Sequence, residues 1–197
     1  MATRRLLALL ALAVLAVAGC GGGDDDQEPV QGTGYTYSVP DGWEDVSDRA
    51  EDEPGLELGG IRPDSIVAAE PEDDFATNVN VVRQGGLPAG VTAAQYAEAN
   101  LAGLRNPTAA GLPPEIIESL ESLNPRDISE RRDLELDGEE AFEWGYRATQ
   151  GGRTMRLRQV ATVVDEAAYT VTLTALPDGF EEGTEALDEV VESWAWE

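Results

Sequence analysis

The chain has 197 residues with 39 acidic and 13 basic groups, a formal charge of −26 at neutral pH, no histidine and one cysteine, Cys20. Without histidine there is no Ser-His-Asp or Cys-His nucleophile, no HExxH zinc site and no histidine general base. The acidity leaves little attraction for nucleic acid or anionic headgroups. It reads as a solvated, solubilising surface, with divalent cations or a basic partner as open readings.

The chain opens "MATRRLLALLALAVLAVAG". Arg4 and Arg5 supply a positive n-region, and the apolar run Leu6 to Ala18 falls short of the ~20 residues a membrane-spanning helix needs. Ala18 and Gly19 before Cys20 resemble the lipobox of bacterial lipoproteins. That resemblance implies cleavage before Cys20 and lipidation of its thiol, an anchor made effectively permanent by ~0.8 kcal/mol per buried methylene. An ordinary secretory signal with a chance cysteine is the alternative. Residues 1–19 are thus expected as a signal peptide. Residues 20–34 are expected as the lipidated Cys20 and a flexible Gly/Asp-rich tether with a reach of ~20 Å. Residues 35–197 suit a single domain.

"YTYSVPDGW" opens that domain. Tyr35, Tyr37 and Val39 alternate as on a half-buried strand, and Pro40, Asp41 and Gly42 turn the chain to deliver Trp43 to the core. Glu44 to Gly60 is acidic and aperiodic, a surface excursion. Ile66–Ala69 and Asn78–Arg83 read as strands joined by the acidic loop "EPEDD". "TAAQYAEANLAGL" is a helix with a Thr92/Gln95 capping box and a face of Tyr96, Ala97, Leu101 and Leu104. A shorter helix follows Pro113 and Pro114, with Ile116, Ile117, Leu120 and Leu123 on one side.

From Ile128 to Ala175 four strands are separated by "DG", "QGG" and "DE". Phe142, Trp144 and Tyr146 point inward together, since a one-residue slip would put all three in water. A two-residue turn at Gly151 and Gly152 sets Tyr146 opposite Leu157 and Trp144 opposite Gln159. A three-residue turn after Val164 would add Tyr169, Val171 and Leu173 to the same face, leaving Arg147, Arg156, Arg158, Thr170, Thr172 and Thr174 on the other. The last helix starts near Phe180 with Asp178 and Glu181 as a capping box, and lays Phe180, Leu187, Val191 and Trp194 on the sheet. The class is α+β: an antiparallel sheet of about six strands packed by a middle and a C-terminal helix.

The anchoring cysteine, the acidic tether, "YSVPDGW", a middle helix, the hairpin run "LDGEEAFEWGYRATQGGRTMRLRQVATVVDEAAYTVTLTA" and a final helix ending "ESWAW" resemble the PsbP-like fold. Within it they look most like the actinobacterial LpqN/LpqT-type lipoproteins. The resemblance implies an accessory or interaction module and brings no active-site motif.

The residues themselves suggest little chemistry. "GGG" and "LGG" lack the lysine of a phosphate loop. Paired carboxylates suit glycoside hydrolysis, but with 39 acids no pair stands out. In "DLELDG", Asp133, Glu135, Asp137 and Gly138 match an EF-hand loop, yet its twelfth position is Trp144 where a bidentate glutamate belongs. A strand and hairpin turn fits better. The aromatic row Phe142, Trp144 and Tyr146 reads as core, with a sugar or acyl site as the alternative. Gln159 opposite Trp144 marks either a core polar group or a pocket edge. The arginines are the local inconsistency. Arg147 falls directly opposite Arg156, with Arg158 nearby, and like charges so placed are destabilising by up to ~1 kcal/mol. Neutralisation by Glu143 and loop acids is one account; contact with an anionic ligand or partner is the other.

The expected protein is noncatalytic, needs no cofactor or metal, and sits on the extracytoplasmic face of the cell membrane, held through Cys20. It binds an envelope protein or lipid and no nucleic acid, with Arg147, Arg156 and Arg158 as candidate contacts. A lipid or small-molecule carrier and a carboxylate-based hydrolase are the alternatives.

Overall fold

The computed structural model describes residues 27–52, 62–72 and 75–197. The expected signal peptide, Cys20 and most of the expected tether lie outside them. Along the chain, β1 (Val30–Gly32), β2 (Tyr35–Tyr37) and β3 (Glu44–Asp45) precede α1 (Ser47–Asp52). β4 (Ser65–Ala68) and β5 (Asn78–Gln84) lead to α2 (Ala93–Arg105) and α3 (Pro114–Leu123). Then come β6 (Arg132–Leu136), β7 (Glu139–Gln150), β8 (Arg153–Val164), β9 (Ala167–Ala175), α4 (Phe180–Glu192) and β10 (Ala195–Trp196).

The α+β class holds, with more strands than expected. Seven form one antiparallel sheet in the order β3-β4-β5-β9-β8-β7-β6, and three form a small sheet, β1-β2-β10. Two expectations for the first half are corrected. Val30, placed in the tether, is buried and pairs with Tyr37, so the fold starts before Tyr35. Glu44 to Asp52 is not an aperiodic excursion, because β3 pairs with β4 and α1 follows it.

Turn chemistry sets how the long strands face. Gly151 and Gly152 both take positive φ, and the two-residue turn they form gives the expected pairs Tyr146 with Leu157 and Trp144 with Gln159. The next turn differs from expectation. It has two residues, Asp165 and Glu166, at φ 48° and 61°, and it pairs Val164 with Ala167. Both angles match a primed hairpin turn, which asparagine and glycine usually supply. One residue fewer in the turn reverses the facing of β9. Thr170, Thr172 and Thr174 therefore join Trp144, while Tyr169, Val171 and Leu173 take the face of Arg158.

Both faces of the sheet are consequently covered. On one, α2 and α3 pack Tyr96, Leu101, Leu104, Leu120 and Leu123 against Phe142, Trp144, Tyr146 and Leu157. The Thr92/Gln95 capping box that starts α2 is formed as expected. On the other face α4 and the small sheet cover Val79, Val160, Val171 and Leu173. α4 buries Gly183, Ala186, Leu187 and Val190, a face shifted from the expected one. At Gly183 a Cβ would stand 2.8 Å from Leu173, so glycine permits the close approach. The cap of α4 is Gly179 with no side-chain hydrogen bond, so the Asp178/Glu181 box is not made.

The small sheet pairs the first described strands with the last. Trp194 stacks on Tyr35 at 4.2 Å, Tyr35 stacks on Tyr37, and both tyrosine hydroxyls hydrogen-bond Ser65, at 2.8 and 3.0 Å. Under α2, Trp144 Nε1 donates to Gln159 Oε1 at 3.0 Å and Gln159 Nε2 donates to Thr172 Oγ1 at 3.0 Å. Gln159 is thus a satisfied core group. Trp144 is 1% exposed, and Trp144→Ala is expected to cost ~3–5 kcal/mol of unfolding free energy by denaturant titration. A loss below ~1 kcal/mol would remove the ring from the core.

Candidate functional site

Pairing of β7 with β8 puts Arg147 directly opposite Arg156, as the sequence suggests. Both stand on the α4 face, where each arginine is held differently. Arg158 is drawn inward, its side chain 13% exposed, and its Nη2 lies 2.7 Å from Glu143 Oε2 and 2.8 Å from Asp188 Oδ1 on α4. Arg132 meets the same Glu143 oxygen at 2.7 Å. Two cations and two carboxylates thus close a neutral chain that ties β6, β7 and β8 to α4.

The pKa directions follow from these contacts. Burial alone would raise that of Glu143, but hydrogen bonds and charge from Arg158 and Arg132 outweigh it and hold the carboxyl below its ordinary value. For Arg158, burial works to lower the value and Glu143 and Asp188 raise it, with the net shift upward.

Arg147 is held by the loop after α3. Backbone bonds between Arg126 and Arg147, at 2.9 and 2.8 Å, continue the ladder beyond β6. They bring Asp127 Oδ2 to 2.8 Å from Arg147 Nε, with both side chains exposed. Arg156 makes no ion pair with the described residues. Its Cζ lies 3.7 Å from the ring centre of Phe180, the first residue of α4. A flat guanidinium covered on one side by an aromatic ring keeps its N–H edge for an acceptor.

Arg147, Arg156, Arg158, Asp127, Glu143 and Phe180 enclose a groove of about 340 Å³. The structure therefore gathers all three expected arginines and divides their roles. Arg158 ties strand to helix, while Arg147 and Arg156 border open space. Phe180, Asp127 and Asp188 complete the site and were not singled out in the sequence. Phe180 was visible only as a helix-face residue, and Asp127 and Asp188 were two carboxylates among 39.

Other candidates resolve differently. Phe142, Trp144 and Tyr146 are core, at 3%, 1% and 4% exposure. "DLELDG" is β6 and its hairpin turn, with Asp137 and Gly138 at φ 46° and 83°. A second cavity, of about 470 Å³, lies beside Trp43 and Phe75 and is rimmed by Glu70, Glu72, Asp178 and Glu182. Among the described residues no group is arranged to hold a metal ion, and no helix is long and apolar enough to cross a membrane.

Among solved structures sharing this fold is LpqN of Mycobacterium tuberculosis, described as involved in cell envelope biogenesis. It matches with a TM-score of 0.56 at 16% identity, over 85% of this chain and 88% of that one. The solution structure of the cyanobacterial PsbP protein CyanoP from Synechocystis sp. PCC 6803 also matches at 0.56, with 18% identity over 92% and 99% of the two chains. The fold is PsbP-like. No protein-family model matches the chain, and no curated protein matches it in sequence.

Because the carboxyl of Glu143 is held low in the folded state, its stabilisation is complete above the unfolded carboxylate pKa and lost as pH falls through the lower, folded value. Thermal melts between neutral pH and about pH 3 should show stability falling below about pH 4. Glu143→Gln should cost about 1–3 kcal/mol at neutral pH and flatten that acid limb. An unchanged acid limb would show that Glu143 carries none of it.

Proposed function

We propose that this chain is a lipid-anchored, noncatalytic accessory protein of the cell envelope that acts by binding, with the groove bordered by Arg147 and Arg156 as its contact surface. The observation that carries the reading is Arg156. In a chain with three acids for every cation, this guanidinium has no carboxylate partner among the described residues and stands on Phe180 at an open groove. A fold shared with LpqN, a protein of envelope biogenesis, supports the location. The leader and Cys20 support the anchor and the extracytoplasmic side.

The alternatives find less support. A carrier needs a pocket between sheet and helix, and under α2 that space is filled by Phe142, Trp144, Tyr146, Tyr96 and Leu101. A carboxylate hydrolase needs an acid with a raised pKa. Glu143, in the groove, is shifted the opposite way.

Two variants test the reading. Cys20→Ala should move the protein out of the membrane pellet in fractionation, and pelleting equal to the wild type would overturn the anchor. Arg156→Glu should weaken capture of partners by crosslinking and pull-down from native membranes. Its melting temperature should change little, since the variant relieves the like-charge cross-strand pair and gives up the contact of the guanidinium with Phe180. Undiminished capture with a lower melting temperature would reduce Arg156 to its packing on Phe180.

A further inference from the structure

The first described residue and the groove are linked through the start of α4. Gln27, the first described residue, donates from Nε2 to the carbonyl of Trp43 at 2.8 Å. Trp43 shares a cavity wall with Gly179 and Gly183, at the start of α4. Between those glycines sits Phe180, the ring beneath Arg156. The segment from Cys20 to Gln27 spans at most ~25 Å even fully extended. An anchor at Cys20 therefore keeps the start of α4, and the groove beside it, within reach of the bilayer.

The charge in the groove is defined as well. Arg132, Glu143, Arg158 and Asp188 neutralise one another, and Asp127 neutralises Arg147, which leaves the single positive charge of Arg156. Arg147 engages Asp127 through Nε, and its cross-strand neighbour Arg156 has its Cζ over the ring of Phe180. The groove thus offers one net charge beside two arginines whose Cβ atoms stand ~5 Å apart. A phosphodiester carries one negative charge spread over two unesterified oxygens, and guanidinium forks suit that geometry.

We propose that the Arg147/Arg156 groove is a headgroup site that takes the phosphodiester of a phospholipid in the bilayer to which Cys20 ties the chain. This rests on the reading of the groove as the contact surface and adds the chemistry of its ligand. The acidity of the whole chain does not oppose it at contact. With a Debye length of ~8 Å at physiological salt, distant carboxylates are screened while the groove acts at hydrogen-bond range.

The test has two arms, both on the lipidated chain. In maltoside micelles, which hold no phosphate, the chain is titrated with glycerophosphoglycerol, inorganic phosphate or acetate while the melting temperature is followed. Glycerophosphoglycerol should raise it, with binding roughly tenfold weaker in Arg156→Gln and unchanged in Arg83→Gln. No effect of glycerophosphoglycerol would overturn the proposal. Equal binding of acetate would make this a carboxylate site, and tighter binding of inorganic phosphate would make the source a soluble anion. Either result overturns the lipid assignment.

In vesicles of phosphatidylcholine and phosphatidylglycerol, a lipid with a photoreactive headgroup should label the peptides carrying Arg156 and Phe180. Labelling should fall roughly tenfold in Arg156→Gln at an unchanged circular dichroism spectrum. Labelling elsewhere, or insensitive to Arg156, would overturn it. The micelle arm does not depend on membrane anchoring, so it separates this proposal from the fractionation test. Partner capture that depends on Arg156 without glycerophosphoglycerol binding would sink the headgroup site and leave the contact surface standing.

Discussion

A side chain on a strand reaches only one face of its sheet, and the pairing of Val164 with Ala167 decides that face for the whole of β9. The two-residue turn between them sends Thr170, Thr172 and Thr174 under α2, and Tyr169, Val171 and Leu173 under α4 and the small sheet. Because β9 lies at the centre of the seven strands, its facing gives the sheet two buried sides instead of one. The α4 layer, its apolar floor and the groove at its start all depend on that parity.

Covering both faces brings charged groups of β7 and β8 beneath a helix. Arg158 would be costly there alone, and Glu143 and Asp188 make it tolerable. The same arrangement leaves Arg156 just outside the helix, where Phe180 takes the face of its guanidinium and solvent takes the rest. The packed charge network and the groove thus share one strand pair. Inner positions are neutralised by partners, and the outermost one is left with charge to offer.

The parts of this fold legible in the sequence are those in which one local rule dominates. The glycine pair at Gly151 and Gly152 set the register that places Arg147 opposite Arg156, and the Thr92/Gln95 box marked the start of α2. Asp165 and Glu166 carry no such signal. Residues without glycine at positive φ look like an ordinary three-residue loop, so the parity of β9 was missed. The apolar pattern of α4 is readable, but its close face turns on Gly183, whose role appears only against Leu173. In the groove the cations were identifiable because arginines are few in this chain. Their partners were not, since choosing Asp127 and Asp188 among many acids requires three dimensions.

The two-stranded start of the small sheet is completed by the last residues of the chain. Ala195 pairs with Thr36, Trp194 lies on Tyr35, and the amide of Glu197 donates to the carbonyl of Gly34 at 3.2 Å. A ribosome delivers a polypeptide from its N-terminus, so β1 and β2 emerge early and wait for their third strand. Until then Tyr35, Tyr37 and Val30 have no Trp194 to bury them, and the cluster on that side of the sheet stays open. Completion of this side of the domain therefore waits for β10, although β1 and β2 are made first.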